Sequence, residues 1–174
     1  GGGVFATGPG GKGGNQAVAA ARLGADVVLV AALGDDDHGR DARADLEREG
    51  VDTRLVGTVD AATGIAVVLV DESAENLIAF APGANAVLAP DAVTAALTGL
   101  PEAPTVVLAS LEVPLGAVEA AAAVAAERRW SFVLNPAPAV ALPASLLRRT
   151  SLLTPNEGEL AVLSPDGPAA LLDA

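Results

Sequence analysis

The chain has 174 residues, the length of one domain with enough chain to bury a core. Hydrophobic residues make up 51% of it, which excludes a disordered composition, and aromatic residues only 2%, so small aliphatic side chains must build the core. The formal net charge of −12 argues against a nucleic-acid partner, and no apolar run is long enough to span a membrane. The chain has no cysteine, which agrees with a reducing compartment, and we expect a cytoplasmic protein.

The only lysine, Lys12, lies in a glycine-rich loop at residues 9–16. Glycine lets a backbone approach a ligand closely, so the loop indicates a small-molecule site. The alternative is a flexible turn with a solvated cation. Asn15 is predicted to cap a helix over 16–23 that ends at Gly24. Helix N-termini offer N–H groups and partial positive charge, which with Lys12 and the Asn15 amide suit the oxygens of a polyol.

Two phosphate-loop patterns fit this loop poorly. Residues 8–13 match G-x-G-x-x-G, but residues 3–7 are too short and glycine-rich for the strand that the dinucleotide-binding motif requires. The Walker A pattern fails because Ala6 stands where its first glycine should be and Gly13 follows Lys12. We reject both.

The chain continues with alternating strand and helix patterns. A strand buried on both faces is predicted over 27–33, then a loop over 34–39 and a charged helix over 40–49. The pattern then changes to short strands separated by turn residues, with the last two forming a hairpin. These strands, which form a β excursion within residues 51–81, are predicted over 51–59, 64–70 and 77–81.

Strand and helix alternation then resumes, which predicts an α/β fold: a mainly parallel sheet with helices on both faces, in one partial domain over 1–174. The predicted elements are a helix over 91–97 opened by Pro90, a strand over 105–109, a helix from Pro114 to about Arg129, strands over 132–134 and 151–153, and a helix over 157–163. The chain opens on three glycines without a first buried strand and stops soon after a strand–helix unit. We therefore expect it to be incomplete at both ends.

Polar side chains follow three of these strands, and ligands bind beyond the carboxyl ends of strands in open parallel sheets. Glu112 follows the strand 105–109, Asn135 follows 132–134, and Asn156 and Glu159 follow 151–153. Each has an ordinary structural alternative. Glu112 could be an exposed acid and Asn135 a turn residue, while Asn-x-x-Glu at a helix start is close to a capping box.

The acidic loop around the only histidine offers a weaker signal. His38 lies beside Asp35, Asp36 and Asp37, but the spacing of a calcium loop is absent. We interpret this segment as a solvated strand-to-helix turn rather than a metal or catalytic site, and Asn85 as a turn residue.

Taken in order, several of these stretches resemble the ribokinase-like carbohydrate kinases, the phosphofructokinase-B-type family. Their order and spacing match along essentially the whole chain, and the residue 9–16 loop and Asn-Pro-Ala-Pro favour the ribokinase branch over the adenosine and fructose kinases. The stretches are PGGKGGNQAVAAA at 9–21, GDDDHG at 34–39, GAN at 83–85, LEVPL at 111–115, and NPAP at 135–138 followed by TPNEGE at 154–159.

The resemblance implies ATP-dependent phosphorylation of D-ribose to ribose 5-phosphate by the complete protein. It implies sugar contacts from Gly11, Lys12, Asn15 and Glu112. Asn156 would face the ATP phosphates, Glu159 would hold hydrated Mg²⁺ through water, and the family also uses a monovalent cation, K⁺. The β excursion would be a lid over the sugar and the contact of a homodimer.

The sequence also departs from the family pattern. The family's Asn-x-Asp, whose aspartate binds sugar, would lie before Gly1. Its Gly-Ala-Gly-Asp, which supplies the anion hole and catalytic base, is not among the 174 residues, nor are the adenine pocket and the K⁺ site. A further difference is Gly14, where the family usually has alanine. No catalytic residue is therefore assigned in this chain, and we expect little or no turnover by the 174-residue polypeptide alone. Another sugar or nucleoside kinase, or a truncated non-catalytic remnant, stays an alternative.

Overall fold

The computed structural model describes residues 6–70 and 76–164. The chain divides into two compact units, Gly1–Ala84 and Asn85–Ala174, which are considered one at a time. The two ends on which the expectation of incompleteness rests, and residues 71–75 of the predicted turn over 71–76, lie outside the described residues. No helix in the described ranges is long and apolar enough to cross a membrane. The α/β class is confirmed, whereas the single domain stays a prediction.

The first unit contains a parallel strand pair, two helices and a hairpin. Parallel pairing aligns Ala31 of the first strand with Val56 of the second, and an isolated bridge joins Val28 to Asp52 ahead of them. The predicted strand over 27–33 is therefore regular only at its end. The elements are α1 (Lys12–Arg22), β1 (Ala31–Gly34), α2 (Asp37–Arg48), β2 (Val56–Val59), β3 (Ile65–Val70) and β4 (Asn76–Ala81).

Helix α2 begins three residues before the prediction. Asp36 is its N-cap, and the Asp36 carboxylate accepts a hydrogen bond of 2.8 Å from the Gly39 amide. An N-cap carboxylate satisfies a first-turn donor and favours the positive end of the helix, so the helix begins inside the predicted loop. The helix ends at Arg48, one residue before the predicted end; Gly50 then adopts φ 82°, and the Val51 amide donates to the Leu46 carbonyl.

The predicted hairpin is confirmed as the antiparallel pair β3–β4, running from Ile65↔Ala81 to Val70↔Asn76. Every residue of β3 is exposed, although five of its six side chains are valine, leucine or isoleucine. Alternation along the strands gives both faces an apolar surface. Val67 and Leu69 lie on one face, and Val68 and Phe80 on the other.

The second unit is built on three parallel strands in the order β5–β6–β7. Helix α3 starts at Pro90 as predicted, whereas α5 was not predicted, because four residues carry too little helical periodicity. The elements are α3 (Pro90–Thr98), β5 (Val106–Ser110), α4 (Leu115–Glu127), β6 (Ser131–Asn135), α5 (Ala144–Leu147), β7 (Leu152–Leu153) and α6 (Glu157–Leu163), with a short 3₁₀ helix at Gly83–Val87 between the units.

Helix α4 contacts β5, β6 and α3, and it buries most of its alanine and valine side chains. The fully buried Phe132 and Leu134 lie on one face of β6. The helix ends two residues before the predicted Arg129, because Arg129 adopts φ 57° and the Trp130 amide donates to the Ala125 carbonyl. This packing holds the sheet whose carboxyl edge carries the polar residues described next.

Candidate functional site

The glycine loop joins helix α1 earlier than the sequence suggested. Gly11, with φ 85°, is the residue that precedes the helix, Lys12 is its first residue, and the Asn15 amide donates to the Gly11 carbonyl at 3.0 Å. The prediction that Asn15 caps the helix is therefore wrong. Glycine disfavours a helix interior by about 1 kcal/mol, but tertiary packing overrides that preference here, since Gly14 faces Leu46 and Ala17 is buried.

This start places Gly11 immediately before the helix and Lys12 and Asn15 at its N-terminal end. Backbone N–H groups of a first turn point toward the N-terminal end, so Gly13 and Gly14 present donors beside Lys12. Neither Gly10 nor Gly13 has a positive φ, and a Cβ added to either would meet no atom of the described structure within 4 Å. Backbone conformation and packing within the described residues thus do not explain these two glycines.

The acidic loop makes ion pairs and hydrogen bonds within the first unit. Asp35 and Asp37 pair with Arg40 at 2.9 and 2.8 Å. Asp36 caps α2, and His38 is an exposed residue of its first turn. Within 6–70 and 76–164, no cluster of three or more acidic, histidine or cysteine side chains could hold a metal ion.

In the second unit, the predicted polar residues gather at one edge of the sheet. Because β5, β6 and β7 are parallel, their carboxyl ends lie at the same edge. Glu112, which is half-buried, follows β5 by two residues, Asn135 is the last residue of β6, and Asn156 follows β7 by three residues. Ser110 pairs with Asn135, so the ends of β5 and β6 are level.

Asn135 connects two of the loops at this edge. Its side-chain amide donates to the Thr154 carbonyl at 3.0 Å, and the Thr154 amide donates to the Leu134 carbonyl at 3.0 Å. The Leu111 amide bonds the Ala137 carbonyl at 3.0 Å, and Leu111 and Ala137 are buried. The loop after β6 therefore forms a packed support for the loops that carry Glu112 and Asn156.

Asn156 and Glu159 form the capping box that the sequence allowed. The Glu159 amide donates to Asn156 Oδ1 and the Asn156 amide to Glu159 Oε2, both at 2.8 Å. A third bond runs from Asn156 Nδ2 to Glu159 Oε1 at 3.0 Å. The box fixes the Glu159 carboxylate at the start of α6, so the alternative that these two residues form a capping box is correct.

The same pair also suits a nucleotide with its metal. Mg²⁺ keeps several waters and binds through one or two carboxylates together with substrate phosphates, so a single held carboxylate fits a water-mediated site. The side-chain amide of Asn156 has two N–H donors. One of them bonds Glu159, and the other suits a phosphate oxygen. The residues at this edge therefore fit a phosphate group with a hydrated Mg²⁺ ion.

The structure thus groups the candidate residues by unit: Gly11, Lys12 and Asn15 in the first, and Glu112, Asn156 and Glu159 in the second. Sequence reasoning missed Thr63, whose amide and hydroxyl both donate to Asp36 at 2.7 Å. The only sequence signal was a threonine in a turn before a strand, which is common in proteins without such a role.

A family model described as pfkB family carbohydrate kinase matches residues 2–168. The ribokinase of Haemophilus influenzae is 41% identical over 156 residues, covering 89% of this chain and 51% of the relative. The deoxyribokinase of Salmonella typhi is 36% identical, covering 92% and 53%. Among solved structures, the Arabidopsis thaliana ribokinase complexed with ribose and ATP has a TM-score of 0.78 at 26% identity, covering 94% and 56%. The chain spans about half the length of the curated relatives it matches.

Proposed function

The chain belongs to the pfkB family of carbohydrate kinases, and on that premise we propose that the complete protein transfers the γ-phosphoryl group of ATP to D-ribose, giving ribose 5-phosphate. The observation that carries the proposal is the N-terminal end of α1. The only lysine of the chain lies there between Gly10 and Gly13, and a Cβ added to either glycine would meet no described atom within 4 Å. Similarity to ribokinases over most of the chain supports the choice of sugar.

Gly11, Lys12 and Asn15 bind sugar hydroxyls in this proposal, and Glu112 accepts a hydrogen bond from another hydroxyl. Lys12 contributes a charged donor and the first-turn amides contribute neutral ones, a combination that suits an uncharged polyol. Glu112 is half-buried, which strengthens a hydrogen bond to its carboxylate by reducing competition from water.

ATP supplies the phosphoryl group, and Mg²⁺ neutralises its phosphates when bound. Asn156 donates to a phosphate oxygen, and Glu159 holds the hydrated metal ion through water. The capping box keeps both side chains in one orientation before the nucleotide binds. The 174 residues carry a net charge of −12, so we assign neutralisation of the phosphates to the metal ion and to backbone donors and not to a basic patch. K⁺ and the catalytic base are assigned to no described residue.

The hairpin β3–β4 acts as the lid over the sugar and as the contact of a homodimer. Its two apolar faces support this double role. If only one face were covered, the apolar side chains of the other face would stay in water, either Val68 and Phe80 or Val67 and Leu69. A two-stranded hairpin is marginal by itself, so both faces gain from being covered.

We expect Val68→Asp to weaken the dimer at least 100-fold, because a buried, unpaired carboxylate costs several kcal/mol. Sedimentation velocity at micromolar concentration measures the change. Leu23→Asp is the matched control, since Leu23 is 89% exposed at the end of α1. Unchanged dimerisation of the Val68 variant would show that the hairpin face with Val68 and Phe80 is not the contact.

Gly13→Ala tests whether the loop glycines are kept for a ligand. The added methyl group meets no protein atom within 4 Å, so we expect the variant to be more stable, by about 0.5 kcal/mol, because alanine is the better helix residue. The same methyl group intrudes on the approach to the first-turn amides, so the KM for ribose should rise about tenfold. Denaturant midpoints and steady-state kinetics of the complete protein measure both changes.

Gly57→Ala is the control for this substitution. Gly57 is exposed on β2, and its added Cβ would lie 3.8 Å from the nearest atom, the carbonyl oxygen of Ala31. Kinetics of this variant should match those of the wild type. If Gly13→Ala gains stability and keeps its KM for ribose, the glycine loop does not bind the sugar.

Isothermal titration of the complete protein against ribose, 2-deoxyribose, fructose and adenosine tests the proposed substrate. Deoxyribose belongs in the panel because a deoxyribokinase is among the relatives. We expect ribose to bind most tightly, with a preference over deoxyribose of roughly tenfold, the effect of one hydrogen bond to the 2-hydroxyl. Tighter binding of another member of the panel would favour the alternative substrate it represents.

A further inference from the structure

Asp36 is the centre of a cluster of hydrogen bonds that joins three elements of the first unit. Its Oδ1 accepts from the Gly39 amide at 2.8 Å and from the Thr63 hydroxyl at 2.7 Å, while its Oδ2 accepts from the Thr63 amide at 2.7 Å. The Thr63 oxygen in turn accepts from the Gly34 amide at 2.9 Å. The end of β1, the start of α2 and the residue two before β3 are therefore tied to one carboxylate, an arrangement we call the clasp.

Three glycines allow the backbone segments of the clasp to approach one another. A Cβ added to Gly34 would collide with the carbonyl oxygen of Ala61. A Cβ added to Gly39 would collide with the carbonyl oxygen of Gly34. Gly83, which adopts φ 51°, leaves no room for a Cβ beside the carbonyl oxygen of Ala62. These close contacts extend the clasp to the residues just after β4.

Both strands of the hairpin are thus held at the same point. The chain enters β3 through Thr63, and it leaves β4 through Gly83 and Ala84, whose amide donates to the Ala62 carbonyl at 2.7 Å. Beyond this point β3 and β4 pair only with each other among the described residues, and their large side chains are exposed. The direction in which the hairpin extends is consequently set at its base.

We propose that the clasp is the fixed hinge of the lid, and that Asp36 and Thr63 are positioning residues that aim the hairpin at the bound sugar. The proposal rests on the proposed function, in which the hairpin covers the sugar. Neither residue touches the substrate. Both act by holding the base of the hairpin, so their loss should weaken retention of the sugar and spare the binding of ATP.

The clasp operates throughout the neutral pH range. The Thr63 amide, the Thr63 hydroxyl and the Gly39 amide lower the pKa of Asp36 from 3.8 to about 2, with a small contribution from the nearby His38. A carboxylate with a lowered pKa stabilises the fold above its unfolded-state pKa, and that contribution is lost as the pH falls from about 4 toward 2. Of the charged neighbours, Asp35 and Asp37 each pair with Arg40, at 2.9 and 2.8 Å.

Thr63→Val and Thr63→Ser in the complete protein test the hinge. Valine keeps the shape but removes the hydroxyl, which eliminates its bonds to Asp36 and Gly34, whereas serine keeps the hydroxyl. We expect Thr63→Val to raise the KM for ribose about tenfold with the KM for ATP within twofold of the wild type, and Thr63→Ser to restore the wild-type value. Thr58→Val, on the exposed surface of β2, is the control and should change neither constant.

Amide hydrogen exchange supplies a readout that does not depend on turnover. We expect the Gly34 and Gly39 amides to exchange at least fivefold faster in Thr63→Val and in Asp36→Asn. Should Thr63→Val fail to fold, Asp36→Asn carries the kinetic test as well, because its amide nitrogen opposes one of the Thr63 donors. A wild type that phosphorylates no sugar contradicts the proposed function. An active wild type whose folded Thr63→Val or Asp36→Asn variant keeps the KM for ribose overturns the hinge alone.

Discussion

Lys12→Met in the complete protein is expected to lower kcat/KM for ribose by about 10- to 100-fold, because a charged hydrogen bond contributes about 1.5–3 kcal/mol. Methionine keeps the length of the side chain and removes its charge. Lys12 is the first residue of α1, where a cation is disfavoured by the positive end of the helix dipole. The KM for ATP should stay within twofold, and the denaturant midpoint checks that the variant keeps the fold.

Arg22→Met is the matched control for Lys12→Met. Arg22 lies at the other end of the same helix, where its side chain is 66% exposed and bonds Glu49 with two contacts of 2.6 Å. The substitution removes the same charge from α1, so any effect of net charge appears in both variants. If the two variants have the same kinetics toward ribose, Lys12 does not bind the sugar.

Glu159→Gln should raise the Mg²⁺ concentration needed for half-maximal activity by about 10- to 100-fold, the range typical of groups that act on a metal through water. Glutamine serves the capping box as well as glutamate does, because its side-chain oxygen still accepts from the Asn156 amide. The substitution thus removes the charge and keeps the local fold. Magnesium titrations at fixed ATP, together with the denaturant midpoint, separate the two roles.

Glu157→Gln is the control for the metal experiment. Glu157 is the first residue of α6, an exposed carboxylate two residues from Glu159. Its removal should leave the magnesium requirement within twofold of the wild type. Equal magnesium dependence in the two variants would mean that Glu159 serves only the capping box.

Local signals in the sequence were sufficient for several elements. Pro90 marks the start of α3, and Asn156 with Glu159 marks the start of α6, because both signals depend on residues within one helical turn. The hairpin was predictable from two apolar runs separated by turn residues. The polar residues at the carboxyl edge of β5–β7 followed from the parallel topology, without knowledge of any contact.

Other features depend on contacts between distant residues. Helix α1 begins at Lys12 instead of Gln16, because Gly11 takes a conformation that only the folded loop reveals. Helix α2 begins at Asp37 because Asp36 caps it, and Asp36 is held by Thr63, 27 residues away. No periodicity in the sequence links those two positions, so the clasp was not predictable. For the same reason the sequence indicated only a solvated turn at the acidic loop.

The most direct test of the central claim is steady-state turnover by the complete protein, measured as ADP release with ribose, 2-deoxyribose, fructose and adenosine as acceptors. We predict that ribose gives a kcat/KM at least ten times that of any other acceptor, with ribose 5-phosphate as the product and no activity without Mg²⁺. Phosphorylation of another acceptor with a higher kcat/KM, or no phosphorylation of ribose at all, would contradict the account.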